Sequence, residues 1–317
     1  MKITILDADT LGSDISLAPI EAEGNCTIYG SSSPEKLVER IADTQVIITN
    51  KIKLRGELLS HAKNLELICV TATGYDNVDL DYCRKNKIAV CNIVGYSSHS
   101  VAQVTAAAVL SLSVNLKTYR EFVASGAYTE SGIANKLTPV YHELWGKTWG
   151  IVGYGNIGKE VGAIGEALGC RVIVNKKTSD PSLCCTDIDT LCKTADIITI
   201  HTPLTEETRG LISRERLALM KKDVIIVNTA RGAVTDEEAI CDAVLGGEIG
   251  GFATDVYSTE PFDSGHPFNK IKDLPNVCLT PHMAWGSYEA RCRCIDEIVL
   301  NIQAYKSGEK RNRVDLI

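Results

Sequence analysis

A chain of 317 residues is longer than one hydrophobic core usually serves, which argues for two domains. Its 44% hydrophobic and 23% charged residues are ordinary globular composition. With 33 basic against 40 acidic residues the net charge is −7, and an acidic chain without a long basic run is a poor match for nucleic acid or an anionic membrane.

Met1 leads directly into the strand-like "KITIL", without the charged and then apolar regions of a secretory signal. The 12 cysteines lack a zinc-type spacing, since neither Cys184–Cys185 nor Cys292–Cys294 is a C-x-x-C pair. Free thiols in a reducing cytoplasm, and no metal, are the expectation. Strand-like runs recur at Lys2–Leu6, Val46–Thr49, Leu67–Val70 and Ala89–Asn92, with helix-like segments between them, so a parallel α/β sheet is predicted. Ser33 before Pro34 has the pattern of an N-cap with proline at the first helical position. An apolar helix is expected from Val101 toward Tyr119; its most apolar part, Val101–Val114, is too short and too polar to span a bilayer. A looser region follows over Ser125–Glu143.

After Gly146 a second alternation begins, with strands expected at Thr148–Val152, Arg171–Asn175, Ile197–His201, Val224–Asn228, Gly251–Val256 and Val277–Thr280. Runs such as "TWGIV", "IITIH" and "VIIVN" are apolar on both faces, as in a sheet covered by helices on both sides. A final amphipathic helix is expected over about Ser287–Lys306. Periodicity alone leaves open whether it packs on the second unit or returns to the first.

The first strand of this second series runs into "IVGYGNIGKEVG", in which Gly153, Gly155 and Gly158 form G-x-G-x-x-G between a strand and a helix-like segment, Ile157–Leu168. In that context the glycines allow a tight turn, close approach of a pyrophosphate and close helix–strand packing, while the helix N-terminus supplies free N–H groups. Seventeen positions after Gly158 the next strand ends in Asn175, Lys176 and Lys177, with Thr178 and Ser179 behind. The acid that would bind the ribose hydroxyls of NAD is missing, and ammonium groups stand in its place. NADP(H) is therefore favoured over NAD(H); two solvated lysines in a surface turn are the plainer alternative.

Further on, "VIIVNTARGAVTDEEAI" places Arg231 at a strand end, before a capping box expected from Thr235 and Glu238. "FATDVYSTEP" supplies Asp255 and Glu260, and "VCLTPHMAWGS" supplies His282. A guanidinium at such a strand end can hold a carboxylate through two parallel hydrogen bonds. Histidine exchanges a proton near neutral pH, and a carboxylate beside it fixes the tautomer and favours the imidazolium. Each of the three residues alone is also compatible with a purely structural role.

Together with "HTPLTEETRGLI", "TATGYDNVDL" and "CNIVGYSSHSVAQ", these motifs cover nearly the whole chain, which resembles the D-isomer-specific 2-hydroxyacid dehydrogenases, most closely their glycerate dehydrogenase (hydroxypyruvate reductase) branch. The resemblance implies two doubly wound parallel-sheet α/β domains. A Rossmann cofactor domain, residues 100–286, is inserted into a flavodoxin-like substrate domain, residues 1–99 and 287–317. It implies that Arg231 grips the substrate carboxylate, that His282 exchanges the proton, that Glu260 pairs with His282, and that Asp255 supports the nicotinamide side. Along the cofactor path it implies Gly153, Tyr154, Gly155, Asn156, Ile157 and Gly158, then Asn175, Lys176 and Lys177. Thr202, Pro203, Thr208, Thr229, Ala230, Asp255, His282 and Ala284 complete that path. Backbone N–H groups near Thr73 and Gly74 would help hold the carboxylate. Lys51, Tyr75, Tyr96 and Trp285 are candidates for the pocket wall, and equally for packing or surface.

The implied reaction is reduction of a small 2-keto acid, hydroxypyruvate or glyoxylate first, to the D-2-hydroxy acid, and the reverse, by a homodimer built on the cofactor domain. Two departures stand out: Val94 replaces a usual proline, and the acid after the second cofactor-domain strand is missing. The alternatives are a dehydrogenase for bulkier aryl or aliphatic 2-keto acids, a phosphoglycerate or formate dehydrogenase, and a non-catalytic dinucleotide-sensing corepressor-like module.

Overall fold

In the computed structural model, which describes residues 1–178 and 180–316, the chain divides into two compact units, Met1–Ser97 with Gly286–Ile317, and Ser98–Trp285. Ser179, grouped above with the lysines, lies outside the described residues.

The first unit carries a parallel sheet of β1 (Lys2–Ile5), β2 (Asn25–Ile28), β3 (Val46–Thr49), β4 (Leu67–Val70) and β5 (Ala89–Cys91), in the order β2-β1-β3-β4-β5. That is the flavodoxin-like order, in which the strand sequence reverses beside β1. β3 and β4 are buried along their whole length, as strands covered on both faces must be. β2 was not predicted. Its "NCTI" is short, mixed in polarity and mostly exposed, because it is an edge strand paired only with β1. The final helix, Tyr288–Lys306, returns to this unit: it starts on the Ser287 hydroxyl, which accepts from Ala290 N, and its Arg291 forms a two-pronged ion pair with Asp14.

The second unit carries β6 (Thr148–Val152), β7 (Arg171–Asn175), β8 (Ile197–Ile200), β9 (Ile225–Asn228), β10 (Gly251–Thr254) and β11 (Val277–Leu279), all parallel, in the order β11-β10-β9-β8-β6-β7. The strand sequence reverses between β6 and β8, and ligands of open α/β sheets bind outside the strand ends at such a point. The register runs straight across the sheet: Asn175, Val152, Ile200, Asn228, Thr254 and Leu279 form one row. Every candidate residue of this unit lies on that row or follows it within eight positions.

The single helix expected from Val101 toward Tyr119 is two helices, Ser98–Ser113 and Leu116–Ala124, bent by 67° where Asn115 adopts φ 52°. The left-handed residue breaks the hydrogen-bond ladder, and asparagine tolerates that conformation better than most residues. No single helix among the described residues is long and apolar enough to cross a membrane. Two helix starts also differ from expectation. The Ser33 side chain makes no cap bond; its carbonyl accepts from Lys36 N instead. The helix Glu237–Leu245 is capped by Asp236, whose carboxylate accepts from Ala239 N at 3.0 Å. Thr235 uses its hydroxyl on the Gly232 carbonyl to close the preceding turn, so the cap falls one residue later than the Thr235–Glu238 box.

Candidate active site

The turn after β6 is shaped by what a side chain would strike. Gly153 has φ 91°, and a Cβ there would lie 2.7 Å from the His201 carbonyl carbon and the Thr202 nitrogen, so backbone meets backbone across the reversal point. A Cβ on Gly158 would sit 2.2 Å from the Gly153 oxygen. Gly155 differs, because nothing lies within 4 Å of its Cβ position. That open space stands before the helix Asn156–Ala167, whose first turn contains Asn156, Ile157 and Gly158 and leaves N–H groups unused by the helix. The cradle therefore fits a pyrophosphate. Tyr154 leans back over the helix, with its ring against Gly162.

One strand to the side, β7 ends in Asn175, whose side-chain amide donates to the Thr186 carbonyl at 3.0 Å. Lys176 lies 3.8 Å from Asp180, and Lys177, largely exposed, lies 3.3 Å from Glu207. Both lysines thus stand at the end of the row with a carboxylate partner each.

After β8, Thr208 folds the loop onto itself: its hydroxyl donates to the Pro203 carbonyl at 2.7 Å and accepts from Thr205 N. His201 lies against this loop with Nδ1 3.4 Å from the Thr229 hydroxyl, while its Nε2 is sealed from solvent and has no partner. Burial pushes that imidazole down to about 3, so it is neutral under ordinary conditions.

Three residues past the row on β9 comes Arg231, in the order Thr229, Ala230, Arg231. Asn228 sets this turn by accepting from Ala230 N at 3.0 Å and donating to the Arg231 carbonyl at 2.9 Å. β10 delivers Asp255 and then Glu260, and β11 delivers His282. The Glu260 carboxylate accepts from Tyr257 N at 3.0 Å through one oxygen and lies 2.6 Å from His282 Nδ1 through the other. A charge-assisted contact of that length fixes the ring plane and leaves Nε2 as the atom facing away from Glu260. Both side chains remain partly accessible, at 24% for His282 and 29% for Glu260.

His282 has φ 54°, a strained setting that must be held from outside. Asp255 does the holding. Buried, it accepts from the Thr280 hydroxyl at 2.6 Å, Met283 N at 2.9 Å and Ala284 N at 2.8 Å, so it grips the chain on both sides of the histidine. The Ala284 carbonyl accepts from Ser100 Oγ at 2.6 Å, which ties the same loop to the first helix of the unit. Trp285, half-buried, closes the second unit.

The remaining candidates belong to the first unit. Lys51 follows β3 and donates its N–H to Asp7 at 2.7 Å. Thr73, Gly74 and Tyr75 form the loop after β4, where the Thr73 carbonyl accepts from Asn92 and Tyr75 packs on the unit's core. Tyr96 is buried, and its carbonyl accepts from Arg293 Nε.

Sequence reasoning passed over Glu237 and His266, a nearly buried polar pair beside the loop that bears Glu260, and the exposed Ser258 that donates to Glu237. Acidic residues opening a helix read as ordinary dipole complements, and only the separation of 29 positions between Glu237 and His266 hides the pair.

Residues 106–284 match the family described as "D-isomer specific 2-hydroxyacid dehydrogenase, NAD binding domain". The whole chain is similar to a glycerate dehydrogenase of Methylorubrum extorquens, at 33% identity over 99% of each chain. It is similar to a hydroxypyruvate reductase of Blautia hydrogenotrophica, at 33% identity over 99% of this chain and 100% of that one. Among solved structures, an acyclic imino acid reductase in complex with NADPH and D-Arg superposes with a TM-score of 0.88, at 28% identity over 99% of this chain and 100% of that one.

Proposed function

The chain belongs to the D-isomer specific 2-hydroxyacid dehydrogenase family, and from that premise we propose that it reduces hydroxypyruvate or glyoxylate to the corresponding 2-hydroxy acid, and runs the reverse. The observation that carries this reading is the His282–Glu260 contact at 2.6 Å, on the strand ends beside that of Arg231. A nicotinamide dinucleotide, when bound, supplies or accepts the hydride. Arg231 binds the substrate carboxylate through its planar fork and draws charge toward the carbonyl oxygen. His282 gives a proton from Nε2 to that oxygen during reduction and takes it back during oxidation. Glu260 keeps the imidazole oriented, and Asp255 holds the backbone on either side of the ring.

For the cofactor we favour NADPH. The absence of an acid at Asn175, and the lysines that follow it, support attraction of a 2′-phosphate. The phosphate must compete with Asp180 and Glu207 for the ammonium groups, so NADH is used as well. We also assign homodimerisation to the second unit, supported by the exposed apolar side chains of Leu116, Val123, Ile133, Leu137 and Val140 in one stretch of chain. A reducing, cytoplasmic compartment agrees with twelve unpaired cysteines.

Initial rates with a panel of 2-keto acids, each run with NADH and with NADPH, test the proposal. Turnover of hydroxypyruvate or glyoxylate, faster with NADPH, is expected. Changing Lys176 and Lys177 together to Ala should lower kcat/KM for NADPH roughly tenfold, the worth of one charge-assisted hydrogen bond, and leave NADH nearly untouched. No turnover with any 2-keto acid would defeat the reading, and preference for aryl substrates would redirect it.

A further inference from the structure

The loop between β10 and β11 is held by two carboxylates through consecutive backbone amides. Tyr257 N donates to Glu260 at 3.0 Å, and Ser258 N donates to Glu237 at 2.8 Å. Glu237 takes two more bonds from the same loop: the Ser258 hydroxyl donates to it, and His266 Nε2 lies 3.1 Å away. His266 Nδ1 accepts from Phe268 N, which assigns the ring proton to Nε2 and makes His266 the donor to Glu237. Both side chains of this pair are at most one-tenth exposed. The imidazole is packed among Tyr257, Phe262 and Phe268, with ring centroids 4.7 to 6.1 Å apart.

Glu237 opens the helix that follows Arg231, so these bonds join the segment carrying the guanidinium to the segment carrying Glu260. The same junction is tight at the backbone, because a Cβ on Gly232 would fall 2.1 Å from the Tyr257 carbonyl carbon and 2.2 Å from Ser258 N. Tyr257 extends the linkage to the third strand end, with its hydroxyl donating to the Thr280 carbonyl at 2.9 Å, two residues before His282.

We propose that Glu237 is a positioning residue for the proton-transfer pair: it fixes the Tyr257–Ser258 peptide, through which Glu260 is held in contact with His282 and in register with Arg231. This rests on the function proposed above. Removing it frees one buried histidine donor and two serine donors, and the loop can then carry Glu260 away from the imidazole. A displacement of this order at a distance from the chemistry can cost up to about a hundredfold in rate.

The test is a double-mutant cycle in the full-length protein, read as kcat, KM for hydroxypyruvate and affinity for NADPH by fluorescence. Glu237→Ala is expected to lower kcat ten- to a hundredfold while NADPH affinity stays within twofold. In a Glu260→Ala background the same change is expected to cost less than threefold, because the contact it protects is already lost. Glu237→Gln, which keeps one accepting oxygen for Ser258 N, should fall between wild type and Ala. Thermal unfolding checks that each variant is folded, and Ser258→Ala, which removes a single donor, gives a smaller loss with the same non-additivity should Glu237→Ala not fold. Losses that multiply independently in the double variant, or NADPH affinity falling in step with kcat, would overturn the positioning role. A wild-type protein inactive on every 2-keto acid would instead defeat the function it serves.

Discussion

Two stretches of one strand-end row in the second unit are built on opposite principles. At β6 and β8 the site is made of backbone, and its design lies in what is missing: a side chain at Gly153 or Gly158 collides with main chain, and a side chain at Gly155 fills open space. At β9, β10 and β11 it is made of side chains, and each reactive group is held by a second polar group, His282 by Glu260, its flanking backbone by Asp255, the Glu260 loop by Glu237. The first stretch demands room and free N–H groups, which tolerate no added atom. The second demands orientation, which can be degraded by degrees. Binding and chemistry should therefore fail separately.

The largest separation is expected from His282→Ala. Loss of a positioned general acid typically costs 10²–10⁴ in rate, and the glycine turn follows β6, four strands away from β11 in the sheet. Stopped-flow or steady-state rates should thus collapse while NADPH affinity holds; equal loss of both would erase the distinction between the stretches. Arg231→Lys should follow at roughly ten- to a hundredfold in kcat/KM, since a point charge cannot replace the planar fork.

The glycines sharpen the same comparison from the other side. Gly155→Ala places a methyl group in open space, so thermal unfolding without nucleotide should be unchanged while NADPH affinity falls about tenfold, the size of one lost charge-assisted hydrogen bond. Gly153→Ala meets the backbone of His201 and Thr202 at a left-handed φ, and should itself destabilise the protein by about 1–3 kcal/mol. Calorimetry of the two variants without ligand reads the contrast directly, and equal melting temperatures would mean the turn is looser than its contacts indicate.

Most strands were legible because covered parallel strands are unbroken apolar runs; β6 and β7 fall on Thr148–Val152 and Arg171–Asn175 as read from sequence. β2 was illegible because an edge strand needs no such run. The break at Asn115 was illegible because a single left-handed asparagine makes it, with no glycine or proline to mark it. In the site, the glycine turn is a local pattern and could be read locally, whereas Arg231, Glu260 and His282, each alone compatible with a structural role, gained meaning as a set, from their strand ends and then from a resemblance spanning the chain. The supports were hidden for a different reason. Asp255 and Glu237 act through backbone amides of distant loops, and an amide donor carries no side-chain signature.

His201 offers the smallest and most delicate test, at the seam between the two stretches. Its Nε2 is sealed without a partner, and burial lowers the imidazole from its ordinary 6.5 to about 3. The unfolded chain takes up a proton as pH falls through about 6.5, whereas the folded chain does not until about pH 3. Unfolding is thus favoured increasingly across that window, and the stability present above pH 6.5 is lost on the way down, with a limiting slope of about 1.4 kcal/mol per pH unit. At pH 5.5 the loss from this one residue should be about 1 kcal/mol. His201→Gln cannot titrate, so its urea-unfolding free energy should decline less steeply than wild type between pH 6.5 and 4.5, whatever its value at pH 7. Parallel curves would mean that His201 takes up its proton in the folded protein, and that the seam beside the glycine turn is open to water.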